Sequence, residues 1–175
     1  MRLDSGFEPL LTERLRLRRS RPGDARAISA YRSDPEVHRY QGWERTDVRG
    51  VLAEIEEMAE RAPGEPGGWV QFSVEELRGG RLVGDVGLSA VDGEPGVIKI
   101  GYTIAPGCQG RGYATEAVSA LVEYAFEALG ADLVRAHASA ENTASIRVAE
   151  KLGEHFEEEI TTADGLRADV YAVER

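Results

Sequence analysis

The chain has 175 residues, of which 42% are hydrophobic and 30% are charged. That length suits one domain with a substantial core, and the apolar content excludes a chain that is disordered throughout. The 21 basic and 31 acidic residues give a net charge of -10, which argues against a nucleic-acid binder and against docking on an anionic membrane.

The first half of the chain predicts one strand, two helices and a hairpin. Leu15 and Leu17 alternate with arginines, which is typical of a half-exposed strand. A proline and an acidic residue then begin a short helix, and a second helix carries apolar residues at helical spacing. Two glycines join the strands of the hairpin. In chain order these elements are the strand near Leu15, helices from Pro22 to about Arg32 and from Thr46 to about Ala59, and strands over 69–77 and 82–88.

The second half alternates strands with helices. Its longest helix carries one apolar stripe from Ala114 to Leu129, and Gly130 ends it. Because strands occur both in hairpins and around helices, we expect a mixed α/β class with a mixed sheet, in a single domain over residues 1–175. The other predicted elements are strands over 97–104, 132–138, 156–161 and 167–174, and a helix over 142–152.

Several site classes are disfavoured by what the chain lacks. The single cysteine, Cys108, cannot form an internal disulfide, and the three histidines have no metal-ligand spacing. No apolar run reaches the length of a membrane-spanning helix, and residues 1–8 do not resemble a secretion signal. We therefore expect a cytoplasmic protein without a metal site.

The segment before the longest helix is the best candidate for a ligand site. Gly110 and Gly112 flank Arg111 immediately before the helix begins. Glycines allow close backbone approach, and the free N–H groups at a helix start attract anions, so a phosphate or pyrophosphate is expected there. The chain has neither the GxxxxGK[ST] nor the complete GxGxxG pattern. By itself the loop is compatible with a nucleotide-binding α/β domain, and equally with a tight turn that binds nothing.

The run at residues 109–114 (QGRGYA) resembles the Q-x-x-G-x-A signature of the GNAT superfamily of acyl-CoA transferases. Further segments resemble the RimJ/RimL-like type of that family, and they occur in family order across nearly the whole chain. These segments are residues 12–18 (TERLRLR), 34–37 (DPEV), 39–43 (RYQGW), 100–102 (IGY), 115–117 (TEA), Asn142 with Ser145, and 150–153 (EKLG).

The resemblance implies a GNAT fold, in which a mixed, mostly antiparallel sheet of about seven strands is flanked by about four helices. The sheet splays into a V between the strands at 97–104 and 132–138, and acetyl-CoA is expected to lie in that gap. Backbone groups near Thr103 and Ile104 would pair with the pantetheine arm as an added strand, and Asn142 would contact the same arm. The loop that would hold the pyrophosphate contains Gln109, Gly110, Arg111, Gly112, Tyr113, Ala114 and Thr115.

Catalytic roles are also implied by the resemblance. Many GNAT enzymes have a tyrosine seven residues after the Asn, where this chain has Ala149, so Ser145 is the candidate acid for the leaving thiolate. The alternative is that Ser145 only caps or packs its helix. An α-amino group has a pKa near 8, so a modest base suffices, and we expect a water chain ordered by Asp85 or Glu44.

Lys99 departs from the family pattern, because RimJ/RimL-like sequences often carry a glutamate two positions before the glycine of IGY. Strand alternation places Lys99 on the same face as Gly101 and Thr103. Lys99 indicates either a pocket for an acceptor that bears a carboxylate or a solvated lysine at a sheet edge.

The resemblance predicts an acetyl-CoA-dependent N-acetyltransferase that acts on a primary amine. A protein N-terminus is the favoured acceptor, and a small-molecule amine such as an antibiotic or metabolite is the alternative. A non-catalytic module that binds acyl-CoA is a further alternative, motivated by Lys99 and by the absent tyrosine. No nucleic acid or membrane partner is expected, and a homodimer is suggested by family analogy alone.

Overall fold

A computed structural model describes residues 1–41, 47–161 and 167–175. Within those residues, eight strands form one sheet in the order β1-β2-β3-β4-β5-β6-β8-β7. Every neighbouring pair is antiparallel except β5 and β6, which are parallel. The strands are β1 (Leu10–Leu11), β2 (Leu15–Arg19), β3 (Val70–Glu76), β4 (Leu82–Ala90), β5 (Val97–Ile104), β6 (Leu133–Ala138), β7 (His155–Thr161) and β8 (Arg167–Glu174).

Five α-helices accompany the sheet in the described part of the chain. Asp34, Asp47 and Asn142 cap three of them by accepting a hydrogen bond from a backbone N–H in the first turn. The helices are α1 (Ala25–Arg32), α2 (Pro35–His38), α3 (Val48–Met58), α4 (Tyr113–Glu127) and α5 (Thr143–Lys151).

The predicted mixed α/β class and its main elements are confirmed, with one more strand and one more helix than expected. The added elements are β1, which has two residues, and α2, which has four. Neither is long enough to show a hydrophobic period, so the sequence pattern could not reveal them. None of the helices in the described ranges is long and apolar enough to cross a membrane.

The core lies mainly between the sheet and α4. Leu121 and Ala125 of α4 are fully buried in one cluster with Leu17, Phe72 and Ile98 from three strands. Each large side chain removed from water there contributes about 1.5–3 kcal/mol, so this packing holds α4 against the sheet. A separate cluster is formed by α1 and α3 with Leu82 and Ala105.

One face of the sheet, called the polar face below, carries polar residues and glycines rather than a continuous apolar core. Residues paired directly across strands share a face, and the pairs Ser73–Asp85 and Gln71–Gly87 continue to Thr103 and Gly101 on β5. Lys99 lies on this face as well, two residues before Gly101.

The expected V-shaped splay is present between β5 and β6. Their parallel pairing covers only Val97–Leu133 to Ile100–Ala136. Beyond that point β5 stays paired with β4 as far as Ile104, while β6 stays paired with β8 as far as Ala138. The second half of β5 therefore has one edge that is not covered by a neighbouring strand.

Candidate active site

Two cavities meet at the uncovered half of β5. The cleft cavity, about 490 Å³, lies in the splay and is bounded by the loop before α4 and by α5. The polar-face cavity, about 1200 Å³, lies over Trp69, Gln71, Asp85 and Lys99. A ligand in either cavity would reach the same stretch of strand. The residues that line both cavities are Tyr40, Gln41, Ile100, Gly101, Tyr102, Thr103, His137 and Ser139.

The loop before α4 presents a row of free backbone donors. Gly110 and Gly112 adopt positive φ values of 73° and 80°, which turn the chain sharply into the helix. None of the backbone N–H groups of residues 110–115 donates a hydrogen bond to another described residue. Free donors at a helix start, with the positive end of the helix dipole, suit a phosphate group. The chemistry of this loop therefore fits the predicted pyrophosphate site.

The loop is tied to the start of the chain by Glu116. Its carboxylate accepts hydrogen bonds from the Thr12 hydroxyl at 2.5 Å and from the Arg14 backbone N–H at 2.9 Å. The Arg14 guanidinium lies 2.6 Å from the same carboxylate and also donates to the Arg111 carbonyl at 3.0 Å. Partial burial acts to raise the pKa of Glu116, but the hydrogen bonds from Thr12 and Arg14 outweigh it and lower the pKa. The carboxylate thus stays ionised and holds the loop.

The other predicted loop residues have distinct positions. Gln109 donates its side-chain N–H to the Ile104 carbonyl at 3.0 Å, which fixes the loop to the end of β5. Tyr113 is buried and donates its hydroxyl to Glu76 at 2.5 Å, while Ala114 and Thr115 line the cleft cavity. Arg111 is exposed.

The hydrogen bonds of β5 show which of its backbone groups could pair with an extended ligand. Ala105, just after β5, donates its N–H to the carbonyl of Val83 on β4. In an antiparallel ladder alternate residues face the same neighbour, so Thr103 also directs its backbone groups to β4. Tyr102 and Ile104 direct theirs into the splay. The predicted pairing of an extended ligand with Thr103 and Ile104 therefore needs Tyr102 in place of Thr103, because the backbone groups of Thr103 already face β4.

Ser145 lies beside a tyrosine that the sequence analysis missed. The Tyr102 hydroxyl is 2.7 Å from the Ser145 Oγ and donates to the Ser145 carbonyl at 3.1 Å. Asn142 caps α5 by accepting the Ser145 backbone N–H at 3.2 Å, so the serine side chain is not the cap. Burial raises the pKa of Tyr102 to about 12, which keeps its proton in place at neutral pH. The phenol comes from β5, so inspection of position 149 alone could not find it.

Asp85 lies at the centre of a buried chain of hydrogen bonds. Tyr31 donates to one carboxylate oxygen and Gln71 to the other, and Gln71 accepts the Trp69 indole N–H at 2.5 Å. Burial raises the pKa of Asp85. With both oxygens engaged, Asp85 holds Gln71 and the indole in place at the polar-face cavity. Glu44, the alternative residue predicted to order water, lies outside the described residues.

Trp69 forms a wall of the polar-face cavity because two glycines make room for it. A Cβ on Gly87 would lie 2.5 Å from the Trp69 ring, and one on Gly101 would lie 3.1 Å from it. The indole therefore lies against the strands at the glycine of the IGY segment. Among the described residues, no group of three or more His, Cys, Asp or Glu side chains could hold a metal ion.

Comparison with known proteins agrees with this geometry. Residues 14–155 match the family model described as an acetyltransferase (GNAT) domain. The chain is 32% identical over 172 residues to the uncharacterised N-acetyltransferase p20 of Bacillus licheniformis, covering 94% of each chain.

Solved structures share the fold. A GNAT-family acetyltransferase from Bacillus anthracis superposes with a TM-score of 0.82 at 25% identity, covering 95% of this chain and 98% of that one. RimL, a ribosomal-protein alpha-N-acetyltransferase solved in complex with coenzyme A, superposes with a TM-score of 0.81 at 16% identity, covering 95% and 98%.

Proposed function

This chain belongs to the GNAT acetyltransferase family, and from that premise we propose that it transfers an acetyl group from acetyl-CoA to the α-amino group of a protein N-terminus. The observation that carries the proposal is the meeting of two cavities at the uncovered half of β5, beside the Tyr102–Ser145 pair. A transferase that joins two substrates directly needs two binding spaces that open onto one reacting point.

The cleft cavity is the proposed place for acetyl-CoA, which supplies the acetyl thioester when it is bound. The free N–H groups of residues 110–115 would hold its pyrophosphate, with Arg111 adding a positive charge. The Ile104 N–H and the Tyr102 carbonyl would pair with the extended arm, and Asn142 lines the same cavity. These donors match the charge and the extended shape of that group.

The chemistry is assigned to groups around the end of β5. The backbone N–H of Tyr102 is directed into the splay, where it can stabilise negative charge that develops on a carbonyl oxygen. The Ser145 hydroxyl, in contact with the Tyr102 phenol, holds a proton that can pass to a departing thiolate. Since the phenol keeps its proton at neutral pH, it can replace the proton that the serine gives up.

Removal of a proton from the amine is assigned to the polar-face cavity. An α-amino group is already partly neutral near pH 8, so the site needs only to accept a proton into ordered water. Either Asp85, whose carboxylate holds Gln71 and Trp69, or Glu44 is proposed to order that water.

The first test is calorimetric titration of acetyl-CoA into the purified protein and into Gly112→Trp. Gly112 has a φ of 80° at the start of α4, so a bulky ring there obstructs the loop. Gly93→Trp is the matched control, because Gly93 has a φ of 78° and nothing within 4 Å of an added Cβ. We expect micromolar binding in the wild type and the control, and none in Gly112→Trp at equal thermal stability. Absence of wild-type binding would refute the assignment of the cleft cavity.

The acceptor is tested by thiol release in the presence of acetyl-CoA. The panel contains peptides with a free N-terminus, the same peptides with a blocked N-terminus, and small amines. Thiol release with the free peptides only would support the proposal. Release with small amines only would replace the protein N-terminus by a small-molecule acceptor.

A further inference from the structure

Lys99 is a half-buried cation at the edge of the polar-face cavity. It lies on β5, on the same face as Gly101, and it lines the cavity together with Trp69 and Asp85. It has no ion-pair or hydrogen-bond partner among the described residues. Burial lowers the pKa of Lys99, so an anion bound beside it would stabilise its ammonium form.

The other formally charged side chains in that cavity already have partners. Asp85 receives two hydrogen bonds, from Tyr31 and Gln71. Lys99 is therefore the unmatched charge among the cavity-lining residues that the structure describes. The ion pairs made by the others are Arg32–Glu54 at 2.5 Å, Arg39–Glu141 at 2.9 Å, Arg61–Glu57 at 3.0 Å, and Arg167 with Glu159.

The residues paired directly with Lys99 on the two neighbouring strands also provide no counter-charge. Its partner on β4 is Ser89, and its partner on β6 is Arg135, which is already paired with Glu94 and Glu157. The imidazole of His137, on β6, also lines the cavity. Burial, with the positive charges of Lys99 and Arg135, lowers the pKa of His137 to about 4, so this ring is neutral at pH 7.

We propose that Lys99 binds a carboxylate of the acceptor, so that the acceptor is an amine with a carboxylate in the same molecule. The spacing supports this, because residues two apart on a strand are roughly 7 Å apart. An amine near Gly101 and a carboxylate at Lys99 thus fit an amino acid or a peptide N-terminus with an acidic residue near its start. The Trp69 ring would lie against the apolar part of such an acceptor. This inference rests on the proposed amine acetylation.

The experiment compares acceptors in matched pairs that differ only in the carboxylate. One arm pairs free amino acids with their α-amides. The other pairs peptides that have Glu at position 2 with the same peptides that have Gln there, with blocked C-termini. We expect the wild type to favour the carboxylate member by about 10- to 100-fold in kcat/KM, mainly through KM, as for a hydrogen bond to a charged group. The arm that shows the preference identifies whether the carboxylate comes from a free amino acid or from an acidic N-terminus.

Variants at position 99 separate this role from a structural one. Lys99→Met should abolish the preference with little change in kcat for the neutral members, and Lys99→Glu should reverse it. Lys99→Gln serves as a second neutral variant if the methionine form is unstable. Arg78→Met is the control, because it removes one positive charge from an exposed position of the β3–β4 turn. An equal rate for both members of every pair, unchanged by Lys99→Met, would overturn the inference while leaving amine acetylation intact.

A second readout does not depend on turnover. Calorimetric titration of the same pairs in the presence of saturating coenzyme A measures acceptor binding directly. One outcome is that the carboxylate members bind at least 10-fold more tightly, with the difference removed by Lys99→Met, although no amine is acetylated. That result would support the carboxylate site and refute amine acetylation. If both members of every pair bind equally, or neither member binds, the inference fails.

Discussion

A buried glutamate makes the stability of this protein depend on pH in a way that can be calculated. Glu154 follows the end of α5, is only 6% exposed, and neither of its carboxylate oxygens has a hydrogen-bond partner in the described structure. Burial raises the pKa of Glu154 from 4.5 to about 7. The unfolded chain therefore ionises this group first as the pH rises. The native state loses stability between about pH 4.5 and pH 7, and the full penalty is present above pH 7.

The magnitude follows from the pKa difference. At about 1.4 kcal/mol per pKa unit, the interval from 4.5 to about 7 corresponds to an upper limit of about 3.5 kcal/mol. Partial access of water reduces that figure, so we expect about 1–3 kcal/mol. Glu154→Gln removes the ionisation and keeps the shape. Its stability relative to wild type should therefore rise from pH 5 to pH 8, by about 2–4 °C in Tm for each kcal/mol.

The assay is thermal and urea unfolding of both proteins at pH 5, 6, 7 and 8. Glu158→Gln is the matched control, because Glu158 is an exposed residue of β7 four positions along the chain. Comparing variants at each pH cancels the titration of all other carboxylates. A constant difference between Glu154→Gln and wild type across this range would refute the argument, as would an equal rise in the Glu158→Gln control.

Three further predictions concern the site. Ser145→Ala should lower kcat by about 100-fold or more while leaving the Kd for acetyl-CoA within a factor of three. Tyr102→Phe should lower kcat by a smaller factor. Unchanged turnover in Ser145→Ala would show that Ser145 is not the acid. Glu116→Gln should weaken acetyl-CoA binding by about 5- to 10-fold in calorimetry, because it weakens the charge-assisted contacts to Arg14, which in turn holds the loop at Arg111. An unchanged Kd would show that the loop holds its shape without Glu116. Asp85→Asn or Glu44→Gln should alter the pH–rate profile for an amine acceptor. If both variants keep the wild-type profile, neither residue orders the water.

The helices and strands that carry a clear hydrophobic period could be predicted from the sequence. The stripe that begins at Ala114 identified α4, and the glycines before it identified a place where an anion can approach a helix start. These features are local, because they depend on side-chain spacing and backbone freedom within a few residues. The four-residue helix α2 was missed for the same reason, since it is too short to have a period.

Contacts between distant segments could not be predicted in this way. The TERLRLR and TEA segments were matched separately, yet Thr12 and Arg14 of the first bind Glu116 of the second. Similarly, the hydroxyl next to Ser145 comes from Tyr102, 43 residues earlier in the chain. Nothing in the spacing of these residues indicates that they touch, because the sheet register and the position of α5 decide it.

The sequence by itself determined the class of fold, the loop that can approach a phosphate, and the resemblance that indicated an acetyltransferase. Those follow from local pattern and from motifs that lie within single segments. Only the tertiary structure decided which β5 backbone groups face the splay, which phenol meets Ser145, and that Lys99 has no counter-charge among the described residues. The physical reason is that exposure, pairing and charge balance are properties of all the elements around a side chain, and those elements are brought together only when the chain folds.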